Sequence, residues 1–406
     1  MSIYRAEWVL PIAAPLLRDG WVAIERGCIA GVGTGRKPDA IDLGRVVILP
    51  ALVNAHTHLE LSYLRGVVPP TDRFLDWIRA IMAARRQFPN PDDPAILKAA
   101  RAGIEEARAS GTGLMGDISN SLVTVPLLRE AAMPGRVFYE LLGFNADDTA
   151  GRVRDARAQV DGADSADGDV RVALAPHAPY SVSPGLFSAI REDLDAHPGD
   201  ISSVHLGESA EEVEFIGRGT GGWRDVLTGL GVWTDAWRVP GVSPVRYLAD
   251  LGFLDSRVLA VHGVQCDGDA LSRLRALRTT VVSCPRSNRY VGVGDPPLEA
   301  FYATGVSVAF GTDSLASVGD LNMFGELAAA RQLAPRVSAR QLLESATLCG
   351  ARALGFGEQF GSLEQGKQAA LVAVQLPARV SDVEEYLLSG IEPAAITWLD
   401  RGTPKS

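Results

Sequence analysis

Asn54-Ala55-His56-Thr57-His58-Leu59-Glu60 comes directly after the apolar, β-branched run Val46-Val47-Ile48-Leu49, which is broken by Pro50. Residues two apart on a strand project to the same face. His56 and His58 therefore point two imidazoles into one space, and neutral imidazole is the commonest ligand for a borderline metal such as Zn²⁺. An HxH triplet also arises by chance at a solvated strand end, so the rest of the chain has to decide between the two readings.

Downstream lie seven further apolar runs of strand length, at residues 114–118, 136–142, 170–175, 203–206, 258–262, 280–284 and 306–310. Helical patterns separate several of them. In residues 95–107, Ile96, Ala99, Ala100, Gly103, Ile104 and Ala107 make one small-apolar face at helical spacing. With the stretch ending at His58 there are eight β-then-α units. They predict an α/β fold, a (β/α)₈ TIM barrel over residues 51–362. The doubly wound open sheet is the alternative, but no G-x-G-x-x-G follows the first strand.

The two chain ends read differently. Trp21-Val22-Ala23-Ile24 and Cys28-Ile29-Ala30-Gly31-Val32-Gly33 flank the turn Glu25-Arg26-Gly27 in a hairpin pattern. A few strands cannot bury a core alone. Ala369-Ala370-Leu371-Val372-Ala373-Val374 offers a partner, so residues 1–50 and 363–406 are expected to form one small β-sandwich domain. Two segments break the rhythm. Residues 161–169 are acidic and Gly-rich without EF-hand spacing, and read as a solvated loop. Residues 208–257 are too long for a bare connection and carry Trp223, Trp233 and Trp237, so they read as a lid or an extra packed helix.

Composition narrows the function classes. Apolar residues make up 47% of the 406 and charged residues 22%, an ordinary globular balance. A net charge of -10 disfavours nucleic acid and anionic membranes as partners. The four cysteines are scattered, which fits a reducing compartment rather than a disulfide framework. The N-terminus lacks a signal-peptide profile and no apolar run reaches membrane-spanning length, so a cytoplasmic protein acting on a small molecule is expected.

In a (β/α)₈ enzyme the chemistry sits at the C-terminal ends of the strands. Five of the six histidines, His56, His58, His177, His205 and His262, fall at such ends, and only His197 lies in an evident surface loop. The eighth strand ends in Gly311-Thr312-Asp313-Ser314. His56, His58, His205 and Asp313 together make a catalytic-type metal site with a position left for water, whose pKa such a metal lowers toward about 7. Asp313 is placed to take a proton from that water, Glu208 to carry one to a leaving group, and His262 to polarise the developing oxygen anion. Each has a plainer role available: a helix cap for Asp313, a solvated acid for Glu208, a core histidine for His262. Their joint occurrence on the first, fifth, sixth and eighth strands favours the metal site.

This order of motifs resembles the amidohydrolase superfamily over nearly the whole chain. The matching pieces are Asn54-Ala55-His56-Thr57-His58, Ala175-Pro176-His177, His205-Leu206-Gly207-Glu208, Val261-His262-Gly263, Ser283-Cys284-Pro285-Arg286-Ser287-Asn288 and Gly311-Thr312-Asp313-Ser314. Cys28-Ile29-Ala30-Gly31-Val32-Gly33 and the stretch from Gly361 to Val372 look like the family's terminal strands, although Ala369-Ala370 stands where Ala-Asp is usual. The Glu after the fifth-strand His, with no Lys on the fourth strand, resembles the one-metal branch of deaminases and chlorohydrolases. The resemblance implies one divalent ion, Zn²⁺ first and Fe²⁺ as the alternative, and hydrolytic deamination of an aminated purine or purine nucleoside. A chlorohydrolase or amide hydrolase on the same site is the alternative. His-Thr-His-Leu-Glu looks most like the aminofutalosine deaminases. By the same analogy His177 contacts the purine or ribose. Glu60 either bonds the substrate or pairs with Arg65 at the rim, Arg286 and Asn288 either reach a substrate carboxylate or fix the seventh loop, and the insertion, with Trp237, covers the ring. Family members are often dimers, which leaves a homodimer open.

Overall fold

The computed structural model describes residues 1–163 and 168–399. Strands are numbered in chain order. β1 (Ser2–Val9), β2 (Leu17–Glu25) and β3 (Cys28–Thr34) form an antiparallel meander, the hairpin expected from the Gly-punctuated pattern. β4 (Ile41–Asp42) and β5 (Val46–Pro50) both pair parallel with β1. β6 (Leu52–Thr57), β7 (Thr112–Ser119), β8 (Gly135–Leu141) and β9 (Val170–Pro176) make a parallel sheet in that order. β10 (Ser202–Leu206), β11 (Val258–His262), β12 (Thr280–Ser283) and β13 (Val308–Phe310) make a second one.

These two sheets touch at both edges. His205 N donates to the His177 carbonyl at 2.9 Å, and Asp313 N donates to the His56 carbonyl at 3.0 Å beside a parallel bridge between Thr57 and Asp313. Both junctions lie at the strand ends that carry the histidines.

Pro50 is where the chain changes sheets. The run up to Leu49 and the run ending at the histidines are two strands, β5 and β6, in different sheets. A proline lacks the N–H that a continuing ladder needs. β14 (Leu371–Gln375) pairs antiparallel with β5 and with β15 (Ile396–Leu399). The chain ends thus join in one seven-stranded sheet, ordered β15-β14-β5-β1-β2-β3 with β4 on β1. The alternation within β5 shows why the run is apolar throughout. Val47 and Leu49 enter the large core shared with the parallel sheets, while Val46 and Ile48 enter a second, smaller core on the other face. β14 divides the same way, Val372 and Val374 against Leu371 and Ala373. A strand buried on both faces has no polar side to show.

The helix expected at 95–107 runs Pro94–Ala109, capped by Asp93 accepting from Ala95 N. Ile96, Ala100, Gly103, Ile104 and Ala107 are buried as the pattern requires. Gly103 permits close packing on the turn after the histidine pair, because a Cβ there would come within 3.0 Å of Ser62 Oγ. Two expectations need correction. Residues 161–163 end the helix Thr149–Ala163 rather than opening a loop, and residues 164–167 lie outside the described residues. The 208–257 insertion carries three helices, Ala210–Arg218, Gly222–Gly229 and Pro244–Asp250.

Candidate active site

His56 lies within β6 and His58 one residue past its end, so the strand's two-residue period sends both rings to the inner side. Their centroids are 4.9 Å apart. His205 on β10 lies 5.1 Å from His56 and 5.4 Å from His58, centroid to centroid. Nε2 of His58 and Nε2 of His205 face each other at 3.4 Å, and Asp313 Oδ1 lies 3.5 Å from His58 Nε2 and 3.7 Å from His56 Nε2. Ligand atoms about 2.0–2.1 Å from a tetrahedral Zn²⁺ are separated by roughly 3.3–3.4 Å. Both ring nitrogens of His56 are buried with no hydrogen-bond partner, an arrangement that costs about 1–3 kcal/mol per atom unless something binds there. The donor set and its spacing therefore fit a divalent ion held by His56, His58, His205 and Asp313.

The electrostatics point the same way. Burial lowers the His56 pKa to about 4, against a partial counter-effect of Asp313. Burial, with His56 alongside, holds His58 well below its ordinary value. Both are neutral at pH 7, as ligands must be. Burial would raise Asp313, but His56 and the neighbouring imidazoles His58 and His262 outweigh it and hold the carboxyl well below the usual carboxylate range. Ser287 Oγ donates to Asp313 Oδ2 at 2.6 Å, which leaves Oδ1 for the histidines. Asp313 and His262 are two of the few non-glycine residues with positive φ, +61° and +76°. Such backbone costs about 1–3 kcal/mol each and persists where the surroundings enforce it, often at functional sites.

Glu208 is buried with Oε1 3.6 Å from His262 Nε2. Burial, with Asp313 and Glu211 adding to it against the pull of His205, raises its pKa to about 8. His262 Nδ1 bonds Asn288 Oδ1 at 2.9 Å, so with the amide in this orientation Nδ1 carries the proton and Nε2 is an acceptor facing Glu208. Burial lowers the His262 pKa, which keeps the ring neutral.

Three supports carry this arrangement and only one left a trace in the sequence. Glu212, fully buried, accepts from the backbone N–H of Gly207 at 3.0 Å and of Glu208 at 2.8 Å, while its own N–H donates to Ser209 Oγ. Ser209-Ala210-Glu211-Glu212 has the S-x-x-E form of a capping box, a signal in the sequence that could have found it. Glu212→Ala leaves two buried N–H groups unpaired. It is expected to cost about 2–4 kcal/mol in denaturant unfolding and about tenfold in kcat with metal content intact. Asp117 Oδ1 accepts from Leu59 N at 2.8 Å and pins the turn after His58. Gly311 lies against His56: a Cβ there would sit 2.7 Å from the His56 carbonyl oxygen and 2.8 Å from its Cβ. Gly311→Ala should therefore weaken metal binding about tenfold or more, read by chelator competition, because it pushes a ligand off its strand.

Beside this centre lies a cavity of about 260 Å³. Helix Phe74–Arg85 supplies Phe74, Trp77, Ile78, Ile81 and Met82 to its wall, and helix Gly222–Gly229 supplies Trp223, Val226 and Leu227. Trp223 stacks on Tyr180 at 3.8 Å between centroids and 16° between planes. His58, His205, Glu208, His262 and Asp313 reach it from the metal side, and Arg85, Asn120, Glu140 and His177 form a polar corner. His177 thus lies where the sequence reading set it.

Other expected substrate residues lie elsewhere. Trp237 stacks on Phe215 at 4.6 Å and packs against Phe144 and Trp233, away from this cavity. Arg65 bonds Glu106 at 2.6 Å rather than Glu60. Glu60 accepts from Ser119 Oγ, Ser121 Oγ and Asn120 N, and lines an adjoining pocket rather than the main cavity. Arg286 is held by Glu326, Asp320 and Asn322, so of its two readings the loop-fixing one is observed. Asn288 acts on His262. His197 closes the helix Pro184–Ala196 and bonds the Asp193 carbonyl. Among the described residues, no helix is long and apolar enough to cross a membrane.

The sequence profile described as the amidohydrolase family matches residues 47–402. The 5-methylthioadenosine/S-adenosylhomocysteine deaminase of Moorella thermoacetica is 29% identical over 416 residues, covering 94% of this chain and 91% of that protein. The aminodeoxyfutalosine deaminase of Deinococcus radiodurans is 33% identical over 318 residues, covering 76% of this chain and 73% of that protein. Among solved structures, a zinc-bound adenosine deaminase from Xanthomonas campestris superposes with a TM-score of 0.84 at 29% identity, over 99% of this chain and 92% of its own.

Proposed function

The chain belongs to the amidohydrolase family, and we propose that it is a hydrolytic deaminase with one divalent ion, zinc, acting on the amine-bearing carbon of a purine nucleoside-like substrate. The observation that carries this reading is a pair of carboxyls pushed apart across one site. Glu208 is raised to about 8 and Asp313 is held well below its usual range, so one is an acid and the other a base at neutral pH.

His56, His58, His205 and Asp313 would hold the zinc ion, which when bound would acidify a water at neutral pH. The chain's own groups do the rest. His262 Nε2, an acceptor by virtue of Asn288, orients an O–H of the attacking water. This differs from the oxyanion donor expected of it, because the donor proton sits on Nδ1. Asp313 takes a proton from that water as the C–O bond forms. Glu208 donates its proton to the ring nitrogen beside the reacting carbon, takes one from the added hydroxyl as the carbonyl forms and passes it to the departing amine as the C–N bond breaks and ammonia leaves; the proton on Asp313 then restores Glu208. Tyr180 and Trp223 offer a flat apolar wall suited to a heteroaromatic ring.

The same proposal reads the two parallel sheets as one closed (β/α)₈ barrel over 51–362, with 1–50 and 363–406 as a small β-sandwich. It places the protein in the cytoplasm and keeps a homodimer as its alternative to a monomer. The test is ammonia release from aminodeoxyfutalosine, 5-methylthioadenosine, adenosine, guanine and aminotriazines, with metal analysis of the same preparation. Deamination of a purine nucleoside by protein holding about one equivalent of metal is the expected result. Ammonia from none of them, or chloride from a chlorotriazine alone, overturns it.

A further inference from the structure

The polar corner of the cavity holds a carboxylate that the reaction does not use. Glu140, near the end of β8, is 6% exposed and lines the cavity. Its Oε2 accepts one bond, from Asn120 Nδ2 at 2.9 Å, and the same amide reaches the Glu140 carbonyl at 3.3 Å. Oε1 lies 3.5 Å from His205 Nδ1, but that nitrogen already donates to the His177 carbonyl at 2.9 Å. His205 is thus oriented without Glu140, and Oε1 has no donor of its own. A carboxylate has room for up to about four donors, so Glu140, lining the cavity, can accept from what enters it.

The neighbour across the corner is also an acceptor. With the Ser181 hydroxyl directed at the Ala178 carbonyl, 3.2 Å away, Nδ1 of His177, 2.6 Å from the same Oγ, carries the proton and Nε2 is left as an acceptor. A carboxylate oxygen of Glu140 and a ring nitrogen of His177 lie within 4.8 Å of each other. Two acceptors this close, one anionic, call for a ligand that brings two adjacent donors and no negative charge. Arg85, the cation of the corner, is turned to Asn120 Oδ1 at 3.1 Å and lies 3.9 Å from Glu60, so it does not neutralise Glu140.

We propose that Glu140, with His177 opposite, binds the vicinal hydroxyls of a ribose, and so selects ribonucleosides over free bases and deoxyribonucleosides. The proposal rests on the nucleoside-deaminase reading and adds to it the group that recognises the sugar. Hydrogen bonds to a carboxylate are worth about 10- to 150-fold each, and a site built for a hydroxyl rejects the analogue without it.

The experiment takes the nucleoside that the metal-loaded enzyme deaminates best and compares it with its 2′-deoxy and 3′-deoxy forms. In the wild-type protein each missing hydroxyl should lower kcat/KM by at least about tenfold. In Glu140→Ala the ribonucleoside should lose a similar factor while the deoxy forms lose less than about threefold, so that discrimination collapses; Glu140→Gln, which keeps one acceptor, should fall between. Metal content, measured alongside, should be the same in all three proteins. Equal losses on all substrates, no discrimination in the wild type, or a best substrate without a sugar would each overturn the assignment to Glu140. The first two leave the deaminase reading standing, whereas that reading fails only if no compound yields ammonia.

Discussion

Glu208→Gln is expected to keep its metal and lose about 10²- to 10⁴-fold in kcat, the range that a positioned proton donor commands. Glutamine matches glutamate in shape, so the backbone bonds from Gly207 and Glu208 to Glu212 remain and the three histidines, with Asp313 beside them, are untouched. What disappears is the transferable proton. In the wild-type protein, burial and the nearby Asp313 keep Glu208 protonated up to about pH 8, and its carboxyl faces the ring of His262. An amine is a poor leaving group until it is protonated, and the ring must accept a proton before water can add. Both steps draw on the same carboxyl. The prediction is read by ammonia release in single-turnover conditions together with metal stoichiometry and binding of a nucleoside product. A variant within tenfold of wild type would remove Glu208 from the proton path, and one that lost its metal would show that the residue supports the centre instead.

The parts of this site that were legible in the sequence are those fixed by strand period and by rare chemistry. His56 and His58 share a face because strands alternate, and His205, His262 and Asp313 stand at strand ends where a parallel α/β arrangement collects its polar groups. Long or aromatic side chains were not legible, because their partners are chosen by tertiary packing. Arg65 had Glu60 close in sequence yet took Glu106, and Glu60 was captured by the Ser119–Ser121 turn. Of three tryptophans in the insertion, no periodicity says which faces the cavity. Trp223 does, from a helix lying over Tyr180, while Trp237 fills a separate aromatic cluster with Phe215 and Phe144. Glu140 carries no motif at all. Only the folded cavity shows that it is buried with a single donor on its carboxylate. Pro50 was visible, but a break in an apolar run does not say whether the strand resumes in the same sheet.

Stripping the divalent ion should abolish turnover and lower stability at pH 7, and both effects should reverse when one equivalent of zinc is returned. Without a cation the centre is two buried imidazoles and a partly exposed one beside an aspartate, with both nitrogens of His56 unpartnered. The folded-state pKa of His56 is depressed from 6.5 to about 4 by burial. Between those values the unfolded chain binds a proton that the folded one refuses, so stability rises with pH across the window and is lost as pH falls through it. His56 alone amounts to on the order of 3 kcal/mol between pH 6.5 and pH 4, and His58, held lower still by burial and by His56, adds in the same direction. Glu208, raised from 4.5 to about 8, acts in the opposite sense between those values, so the contribution of the imidazole is read as the difference between the apo wild type and a variant lacking the ring. Zinc binds the neutral rings of the folded state, and at a thousandfold over its dissociation constant it stabilises by about 4 kcal/mol, so the loaded protein should resist urea further at pH 7 and lose that margin as protons compete for the ligands. Urea midpoints of apo and zinc-loaded protein from pH 4 to 8, with His56→Ala as a third series, test the account. The alanine variant, lacking the titrating ring, should lose less stability than the apo wild type between pH 6.5 and pH 4 and gain little from zinc. Full activity in protein stripped below a tenth of an equivalent, or a wild-type apo curve parallel to that of His56→Ala, would mean that these imidazoles are packed for some other purpose than to hold a cation.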